Sequence, residues 1–442
     1  MPLPASIEEV PKLGESQINW LGVLRQQRRE ALSLPSDPLF KARVRDAVVR
    51  HPELRSALGA VDGAVAAIEE ARAASKPQIT GQSEGGWRHF DRNATLGSPE
   101  RRYSTGGLGV SMRQLVYDFG AAEALVQSSQ ARTRVAEARM EAKRSEVALR
   151  AVQVAVELDR SRRQLELAQE NETARRAIAS YVKERFDLGG GAVSDVLRAE
   201  SRVAEASAGV VAARTRVEAA EAGYREIFGV TPGAVSLGAE APVDVPGLGK
   251  LPELALSFSS VRAASAVKEA ASADVRAANA RSMPQLNFEA SVNRRDLVGY
   301  NVSPGTDRTA GLSLRYDFYT GGAASAREAQ ALSRLRQAEE DYRATIQTFE
   351  RFADEALADA RASSQLVVAR ISAVELAANS LRAVREQFAF RRGTLLDLLT
   401  AQEAVNAAGQ ALIDAYAQQV LGSYRLLYVA SRLDAHFGLI GN

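Results

Sequence analysis

The chain carries one ordered set of short motifs twice, with the two copies about 200 residues apart. The matching pairs are Tyr117 with Tyr316, Asp118 with Asp317, Phe119 with Phe318, Phe186 with Phe388, Gly191 with Gly393, Asp195 with Asp397 and Tyr224 with Tyr424. A repeat of this length indicates that each half of the chain builds the same supersecondary unit. Any fold proposed for the chain must therefore contain that unit twice.

Hydrophobic periodicity predicts the same element order in each half: a helix, two strands, a very long helix, a break and a last helix. In repeat 1, residues 42–230, we predict strands at about 77–90 and 105–118 and helices at about 122–188 and 194–229. In repeat 2, residues 253–436, we predict strands at about 284–294 and 309–318 and helices at about 323–392 and 394–435. The linker between them, residues 231–252, is too rich in proline and glycine for regular structure.

Residues 1–41 precede the first repeat, and they contain Pro2, Pro4, Pro11, Pro35 and Pro38. The prolines predict an extended arm with one short helix. A basic stretch at residues 25–29 follows Trp20 and Leu21, so a membrane-surface anchor is the alternative interpretation. Residues 437–442 are the predicted C-terminal tail.

The predicted strands alternate between apolar and polar residues. In the second half the apolar positions are Leu286, Phe288, Ala290 and Val292, followed on the next strand by Ala310, Leu312, Leu314 and Tyr316. This alternation fits either a sandwich strand with a solvated outer side or a barrel with lipid outside and water inside. Four strands cannot close a barrel alone, and aromatic residues cluster at the strand ends as they do in an interfacial girdle. We therefore expect a barrel shared by several chains.

The long predicted helices contain neither proline nor glycine between residues 122 and 188 or between residues 323 and 392. At 1.5 Å per residue, helices of this length would extend about 100 Å. Apolar residues recur every seven positions, as at Leu398, Val405 and Leu412, which predicts coiled-coil seams with a left-handed supercoil. The periodicity does not decide between a solid bundle and a wall around a lumen.

The composition excludes several classes of function. Because 56 basic and 54 acidic residues leave a net charge of only +2, no global field favours nucleic acid as a partner. The chain has no cysteine, which excludes disulfides, thiolate metal sites and a lipidated N-terminal cysteine, and its three histidines lie far apart. We find no Ser-His-Asp arrangement, phosphate loop or metal-ligand spacing. The expectation is a protein that is not an enzyme and uses no cofactor and no metal ion.

The N-terminal sequence lacks the basic head and apolar stretch of a signal peptide, and no apolar run of about 18 residues occurs in the chain. These features predict a soluble protein, a barrel, or a chain whose signal has been removed.

Several motifs in this order resemble the TolC family of outer-membrane factors over about residues 42–436. The motifs are HPEL at His51–Leu54, LVYDFG at Leu115–Gly120, RFDLGGGAVSDVLRAE at Arg185–Glu200, LRYDFYTGG at Leu314–Gly322 and GTLLDLLTAQ at Gly393–Gln402. Each motif is weak alone, but the order is specific because the related motifs recur in both halves.

The resemblance implies an α+β membrane protein of the Gram-negative outer membrane. In that family a homotrimer, with four strands per chain, forms one twelve-stranded transmembrane β-barrel in outer-membrane lipid. The barrel is continuous with a long α-helical coiled-coil tunnel in the periplasm. Such ducts join an inner-membrane ABC or proton-driven transporter through a periplasmic adaptor, the membrane fusion protein. Nothing is catalysed.

Two Gly-x-x-x-Asp turns, Gly191 to Asp195 and Gly393 to Asp397, lie where a long helix ends and a shorter one begins. Their local interpretation is that glycine turns the chain and the acid stabilises the helix start, and Thr394 with Asp397 has the spacing of a capping box. The functional interpretation comes from the resemblance, in which these turns form the periplasmic tip that closes the tunnel.

The predicted pore aperture comprises Asp397, Asp195, Arg391, Arg392, Thr400 and Phe388. Threefold symmetry would turn Asp397 into one ring of carboxylates, and Asp195 would take part in links that hold the aperture shut. Thr400 stands where many of these pores have a second acid, so one ring is expected. Phe388 and Gly393 stand where TolC itself has a tyrosine and an arginine that close the tip. Our hypothesis is that Arg391 or Arg392 instead pairs with an acid across the closed tip.

The resemblance also implies that the turns contact the adaptor. The predicted contact residues are Leu188, Gly189, Gly190, Gly191, Phe390 and Gly393. Glycines at a hairpin apex allow close backbone approach, although their local role is to turn the chain.

Because the chain has no cysteine for an N-terminal lipid, the sequence analysis favours type I protein secretion as the function. The alternative is efflux of drugs or other small molecules. A soluble coiled-coil scaffold is a more distant alternative, which would explain the heptads but not the amphipathic strands in both repeats. Fractionation with detergent distinguishes a membrane duct from a scaffold, because a β-barrel needs detergent to become soluble and a scaffold does not.

Overall fold

A computed structural model describes residues 15–33, 38–90, 101–233, 251–298 and 305–440. The chain forms two compact units, and each is built from both sequence repeats. The helical unit takes its residues from Met1–Ser56, Glu141–Ser259 and Ile346–Asn442. The sheet unit takes its residues from Ala57–Met140 and Ser260–Thr345. The compact units are therefore not the two repeats of the sequence.

The described elements follow in the order expected from the duplication. The first half contains α1 (Glu15–Ser33), α2 (Pro38–Arg50), α3 (Pro52–Ala73), β1 (Gln78–Phe90), β2 (Arg101–Tyr117), α4 (Ala121–Asp187) and α5 (Val193–Phe228). The second half contains α6 (Leu251–Ser257), α7 (Ser259–Ala280), β3 (Gln285–Val298), β4 (Gly305–Arg315), α8 (Ala323–Ala389), α9 (Leu395–Val429) and α10 (Leu433–His436). Among the described residues, no helix has an apolar stretch long enough to cross a lipid bilayer.

Several element ends differ from the predicted ones for local reasons. Strand β4 ends at Arg315 rather than at 318, because its last partner, Gln285, follows Pro284, which has no N–H to donate. Helix α9 ends at Val429 rather than at 435, because Ser431 takes a left-handed conformation with φ 54°. Strands β2 and β3 extend beyond their apolar residues, because polar residues near the hairpin ends still pair through their backbones.

The sheet unit contains one antiparallel sheet in the order β1-β2-β3-β4. Its register places Ile79, Met112, Ala290 and Ala310 in one row across all four strands. The next row, on the opposite face, contains Thr80, Ser111, Ser291 and Thr309. The predicted separation into an apolar and a polar face is therefore confirmed. Among the described residues, β1 and β4 each pair on one side only.

The polar face carries cross-strand polar contacts and several glycines. Arg113 Nε lies 3.0 Å from Glu289 Oε1, and the hydroxyls of Ser291 and Thr309 lie 2.8 Å apart. Gly109 faces both Gln82 and Asn293, and a Cβ on it would lie 2.2 Å from Asn293 Oδ1. The missing side chain is therefore needed for these polar groups to approach each other.

The core of the helical unit lies between α1, α4, α8 and α9. The predicted heptad residues of α9, Leu398, Val405 and Leu412, are all buried, as are the small residues Ala199 and Ala206 of α5. Both rows have the seven-residue spacing that lets neighbouring helices pack along a narrow seam.

Helix α1 corrects the prediction for the N-terminal arm. The predicted arm was extended with one short helix, whereas α1 has 19 residues and Leu21 is only 1% exposed. Trp20 also packs against the core, so the membrane-surface anchor is wrong for these residues. The predicted boundary at 41/42 lies inside α2, which begins at Pro38, because proline is tolerated in the first turn of a helix.

Other parts of the arm, most of the linker (234–250) and the last two residues of the tail lie outside the described residues.

Replacement of Gly409 tests the packing of this core. A Cβ on Gly409 would lie 2.9 Å from Leu21 Cδ2 and 3.1 Å from Leu167 Cδ2, so Gly409→Val should destabilise the protein by about 1–3 kcal/mol. Thermal unfolding of the purified protein in detergent, followed by circular dichroism, measures the effect. Gly209→Val in α5 is the matched control, because no atom lies within 4 Å of the added Cβ. Equal midpoints for the parent and Gly409→Val would contradict the packing described here.

Candidate functional site

The two turns predicted to form the periplasmic tip lie in the helical unit and have closely similar backbones. We name residues 186–197, from the end of α4 into α5, the first tip, and residues 388–400, from the end of α8 into α9, the second tip. In the first tip, Gly189 N donates to Phe186 O (2.8 Å) and Gly190 N donates to Arg185 O (2.9 Å). In the second tip, Arg391 N donates to Phe388 O (3.2 Å) and Arg392 N donates to Gln387 O (2.8 Å). Both pairs form a Schellman ending.

The residue in the left-handed position differs between the two tips. The first tip has Gly189 there, with φ 77°, whereas the second has Arg391, with φ 59°. A side chain in this conformation costs about 1–2 kcal/mol that glycine avoids. The second tip therefore keeps an exposed guanidinium at a position where the first tip has the less strained residue.

The glycine that closes each turn approaches the last turn of the preceding helix. A Cβ on Gly191 would lie 3.3 Å from Phe186 Cα, and a Cβ on Gly393 would lie 3.2 Å from Phe388 N. Both distances are tighter than most side chains tolerate, so a role for the two glycines in turning the chain follows directly from the geometry. Their predicted contact with an adaptor is a separate matter.

Helix α9 begins with the capping box predicted from Thr394 and Asp397, which is confirmed. Asp397 N donates to Thr394 Oγ1 (3.2 Å), and Thr394 N donates to Asp397 Oδ2 (3.0 Å). Thr394 Oγ1 also donates to Asp397 Oδ2 at 2.7 Å. These bonds from the Thr394 side chain and backbone hold the pKa of the Asp397 carboxyl below its ordinary value of 3.8. Asp397 is therefore an exposed, ionised carboxylate at neutral pH.

The start of α5 lacks this cap. Its N-cap residue is Ala192, which offers no side-chain hydrogen bond, and among the described residues the carboxylate of Asp195 has one long ion pair, with Arg198 at 3.8 Å. Asp195 and Asp397, which occupy equivalent positions in the two repeats, therefore have different local surroundings. Asp397 is fixed by two bonds to its own turn, whereas Asp195 is held only loosely.

Phe388 lies in the core of its own chain. Its side chain is 4% exposed and packs against the ring of Tyr181, with centroids 5.9 Å apart, while the guanidinium of Arg185 lies 5.8 Å from its ring centroid. Phe388 therefore joins the end of α8 to the end of α4. Its role at the aperture stays a prediction.

The other predicted residues remain on the surface. Thr400 lies one helical turn after Asp397, and both are exposed. Arg391 and Arg392 are exposed and form no ion pair with any described residue. Leu188 is 64% exposed and Phe390 is 75% exposed.

Sequence reasoning missed three further apolar residues at the tips. Val193, Leu197 and Leu396 are more than half exposed. They lie between the seven-residue rows that form the seams, and this spacing was the signal that could have identified them as surface residues. Together with Leu188 and Phe390 they give both tips an apolar surface, which is unusual for the solvent-facing end of a hairpin.

A sequence profile described as "Outer membrane efflux protein" matches residues 44–230 and 251–429. These two segments cover most of the chain and include both tips. The chain belongs to the outer membrane efflux protein family. Members of this family are transport channels rather than enzymes.

Comparisons with individual proteins agree with this assignment. The chain is 26% identical to the outer membrane efflux protein BepC of Brucella suis over 368 residues, which are 83% of this chain and 79% of BepC. Its fold is similar to that of the outer membrane protein VceC of Vibrio cholerae, with a TM-score of 0.78 at 16% identity over 88% of this chain and 95% of VceC. It is also similar to the CmeC outer membrane channel of Campylobacter jejuni, with a TM-score of 0.80 at 13% identity over 89% and 86%.

These matches confirm the resemblance that the motifs indicated. They also confirm the predicted fold class, that of the outer-membrane channels with a β-barrel and a long helical tunnel, and the location in the outer membrane. They do not bear on the roles of individual residues at the tips.

Exchange of the strained arginine tests the geometry of the second tip. Arg391→Gly should raise the free energy of unfolding by about 1 kcal/mol, because glycine adopts a positive φ without a steric penalty. Arg392→Gly is the matched control and should give no gain, since φ is positive at Arg391 and not at its neighbour. Thermal unfolding of the two purified variants in detergent gives the comparison. A lower midpoint for Arg391→Gly than for Arg392→Gly would contradict the left-handed assignment.

Proposed function

We propose that this family member is one protomer of a trimeric export duct whose aperture is formed by the two tips, with Asp397 as its ion-selective ring. The observation that carries the proposal is the exposed Asp397 carboxylate, fixed by its capping box and followed one turn later by the uncharged Thr400. Three symmetry-related copies of such a carboxylate would attract cations and resist anions. A single ring follows because no acid stands at position 400.

The trimer is supported by the sheet. Among the described strands, β1 and β4 lie at the edges of the sheet, where a neighbouring copy could pair with their outer backbone groups. In lipid these groups must be paired, because no water is present to satisfy them. Three copies with four strands each would give the twelve strands implied by the family resemblance.

Arg391 is the preferred partner for an acid across the closed tip. Its guanidinium is exposed and forms no ion pair with the described residues of its own chain. Backbone strain is retained at a position where the first tip has glycine, and such strain often accompanies a functional side chain. Arg392 and Asp195 are the second candidate pair, since the single bond of Asp195 to Arg198 is long.

The apolar surface of the tips supports contact with a periplasmic adaptor. Leu188 and Phe390 project beside Gly189, Gly190, Gly191 and Gly393, so a partner could approach the backbone closely and cover apolar side chains at once. An adaptor docked here would connect the duct to an inner-membrane ABC or proton-driven transporter.

For the cargo we propose small molecules exported by efflux. The family description and the name of BepC both refer to efflux. Type I protein secretion, which the sequence analysis favoured, stays a prediction.

Recordings from single channels in planar bilayers test the aperture. Asp397→Asn should lower the ratio of cation to anion permeability, because the amide keeps the shape of the carboxylate without its charge. Thr400→Asp should raise the ratio by adding a second ring. Joint replacement of Arg391 and Arg392 by Ala should raise the conductance by releasing the closed tip.

The control for the selectivity measurement is Asp195→Asn, which should alter closure rather than ion preference. A ratio of cation to anion permeability that stays the same in both Asp397→Asn and Thr400→Asp would contradict the proposed ring. An unchanged conductance in the double arginine variant would contradict the proposal that an ion pair closes the tip.

Complementation in the native bacterium tests the adaptor contact and the cargo together. Deletion of the gene should make cells sensitive to antibiotics and detergents that are removed by efflux, and the parent gene should restore resistance. Leu188→Ser with Phe390→Ser should reach the outer membrane at the parent level yet fail to restore resistance, because the apolar docking surface is lost. Growth inhibition and immunoblots of membrane fractions measure both effects.

Val211→Ser in the middle of α5 is the control, since Val211 is an exposed apolar residue away from the tips. Full resistance with the tip variant would contradict the adaptor contact. Unchanged drug sensitivity after deletion, with loss of a secreted protein from the medium, would favour type I secretion over efflux.

A further inference from the structure

Helix α1 fills a groove between helices α4, α8 and α9. Leu21 lies over Gly409 of α9, and Leu167 of α4 packs close to the same position, where a Cβ on Gly409 would meet both side chains. Ile18 and Leu24 belong to the same buried cluster, which also includes Val374 and Leu381 of α8. One face of α1 therefore contacts the core where α4, α8 and α9 meet.

Two polar contacts fix the position of α1 along the groove. The side chain of Gln402 donates a hydrogen bond to the Gln17 side chain, and both residues are fully buried. At the other end of the contact, Arg25 forms an ion pair with Glu375 of α8. A buried amide pair is costly if it is broken, because each amide would lose its partner away from water. The pair therefore sets the register of α1 on α9.

Helix α1 is an addition to the part of the chain that the family profile matches. The match begins at residue 44, whereas α4, α8 and α9 lie within its two segments. The helices that form the groove therefore lie within the segments that the profile matches, whereas α1 lies before them. Close approach of the occupant depends on Gly409, as described above for the core.

The groove lies close to the proposed aperture but on the other side of α9. Gln402 follows Asp397 by 5 residues, and it is buried under α1 while Asp397 and Thr400 are exposed. At about 100° per residue, these two positions lie about 140° apart around the helix. Contacts made by α1 can therefore hold α9 without covering the carboxylate.

We propose that α1 is a clamp that holds the α8–α9 hairpin against α4 and so restrains opening of the aperture. The inference rests on the proposed function, because it takes the second tip as part of the aperture. Any opening that moves α9 relative to α4 must separate Leu21 from Gly409 or from Leu167. A helix that binds one of two arrangements more tightly shifts the population toward that arrangement.

A reversible disulfide tests the clamp, since the chain has no cysteine of its own. A Cβ on Gly409 would lie 2.9 Å from Leu21 Cδ2, so Leu21→Cys with Gly409→Cys places two thiols on facing positions of α1 and α9. In planar bilayers the reduced double variant should conduct more than the parent, because the Leu21 side chain is shortened. Oxidation should return the conductance to the parent level or below it, and reduction should reverse the change.

A second pair of variants tests the clamp without a cross-link. Leu21→Asp should release α1 by placing a charge in the groove, and mean conductance should rise about twofold or more. Val23→Asp is the matched control, because Val23 is 53% exposed on the same helix. Trypsin cleavage after Arg25 should accelerate in Leu21→Asp and not in Val23→Asp. Size-exclusion chromatography checks that both variants remain assembled.

The outcomes separate this proposal from the proposed function. If Asp397→Asn changes the selectivity but neither the disulfide nor Leu21→Asp changes the conductance, α1 is a packing helix and the clamp is wrong. If the tip variants also leave the pore unchanged, the tips are not the aperture and both proposals fail. A rise in conductance that oxidation reverses supports the clamp.

Discussion

The need to pair backbone groups at the two edges of the sheet is the constraint from which much of the architecture follows. In lipid, each N–H or C=O without a partner costs several kcal/mol, so an open sheet is not a stable membrane structure. The described part of the chain supplies four strands, with β1 and β4 at the edges. In the proposed trimer other copies would complete these edges, and the duplication supplies each copy with two hairpins in the same sheet. The helices that follow each hairpin are then repeated with it.

The fold was largely predictable because its main signals are periodic. Alternation in the strands identified both faces of the sheet, and heptads such as Leu398, Val405 and Leu412 identified the seams. Element ends were less predictable, because they depend on partners rather than on local sequence. Strand β4 ends where Pro284 on its neighbour removes a donor, and α9 ends two residues before a left-handed serine that sequence rules do not mark as a helix breaker. Helix α1 was misjudged, because nearby prolines suggested an extended arm and the groove that accepts it is tertiary.

At the candidate site, sequence reasoning succeeded where the chemistry is local. The capping box of Thr394 and Asp397 follows from spacing alone. It did not foresee the burial of Phe388, which depends on Tyr181 and Arg185 from a distant part of the chain. The two tips differ in side chains although they share a backbone. The backbone turn is the same, but Gly189 and Ala192 of the first half correspond to Arg391 and Thr394 of the second. The second tip thus has a cation and a capping threonine where the first tip has glycine and alanine, although both tips have an acid at the matching position.

The glycines on the polar face of the sheet have a consequence for the width of the channel. Gly107, Gly109 and Gly311 leave that face without side chains beside Glu84, Asn293 and Glu289. In a closed threefold barrel each missing side chain would be missing three times at the same height. The bore would then be widened in whole rings, and a single substitution at one of these glycines would introduce three obstructions at one level.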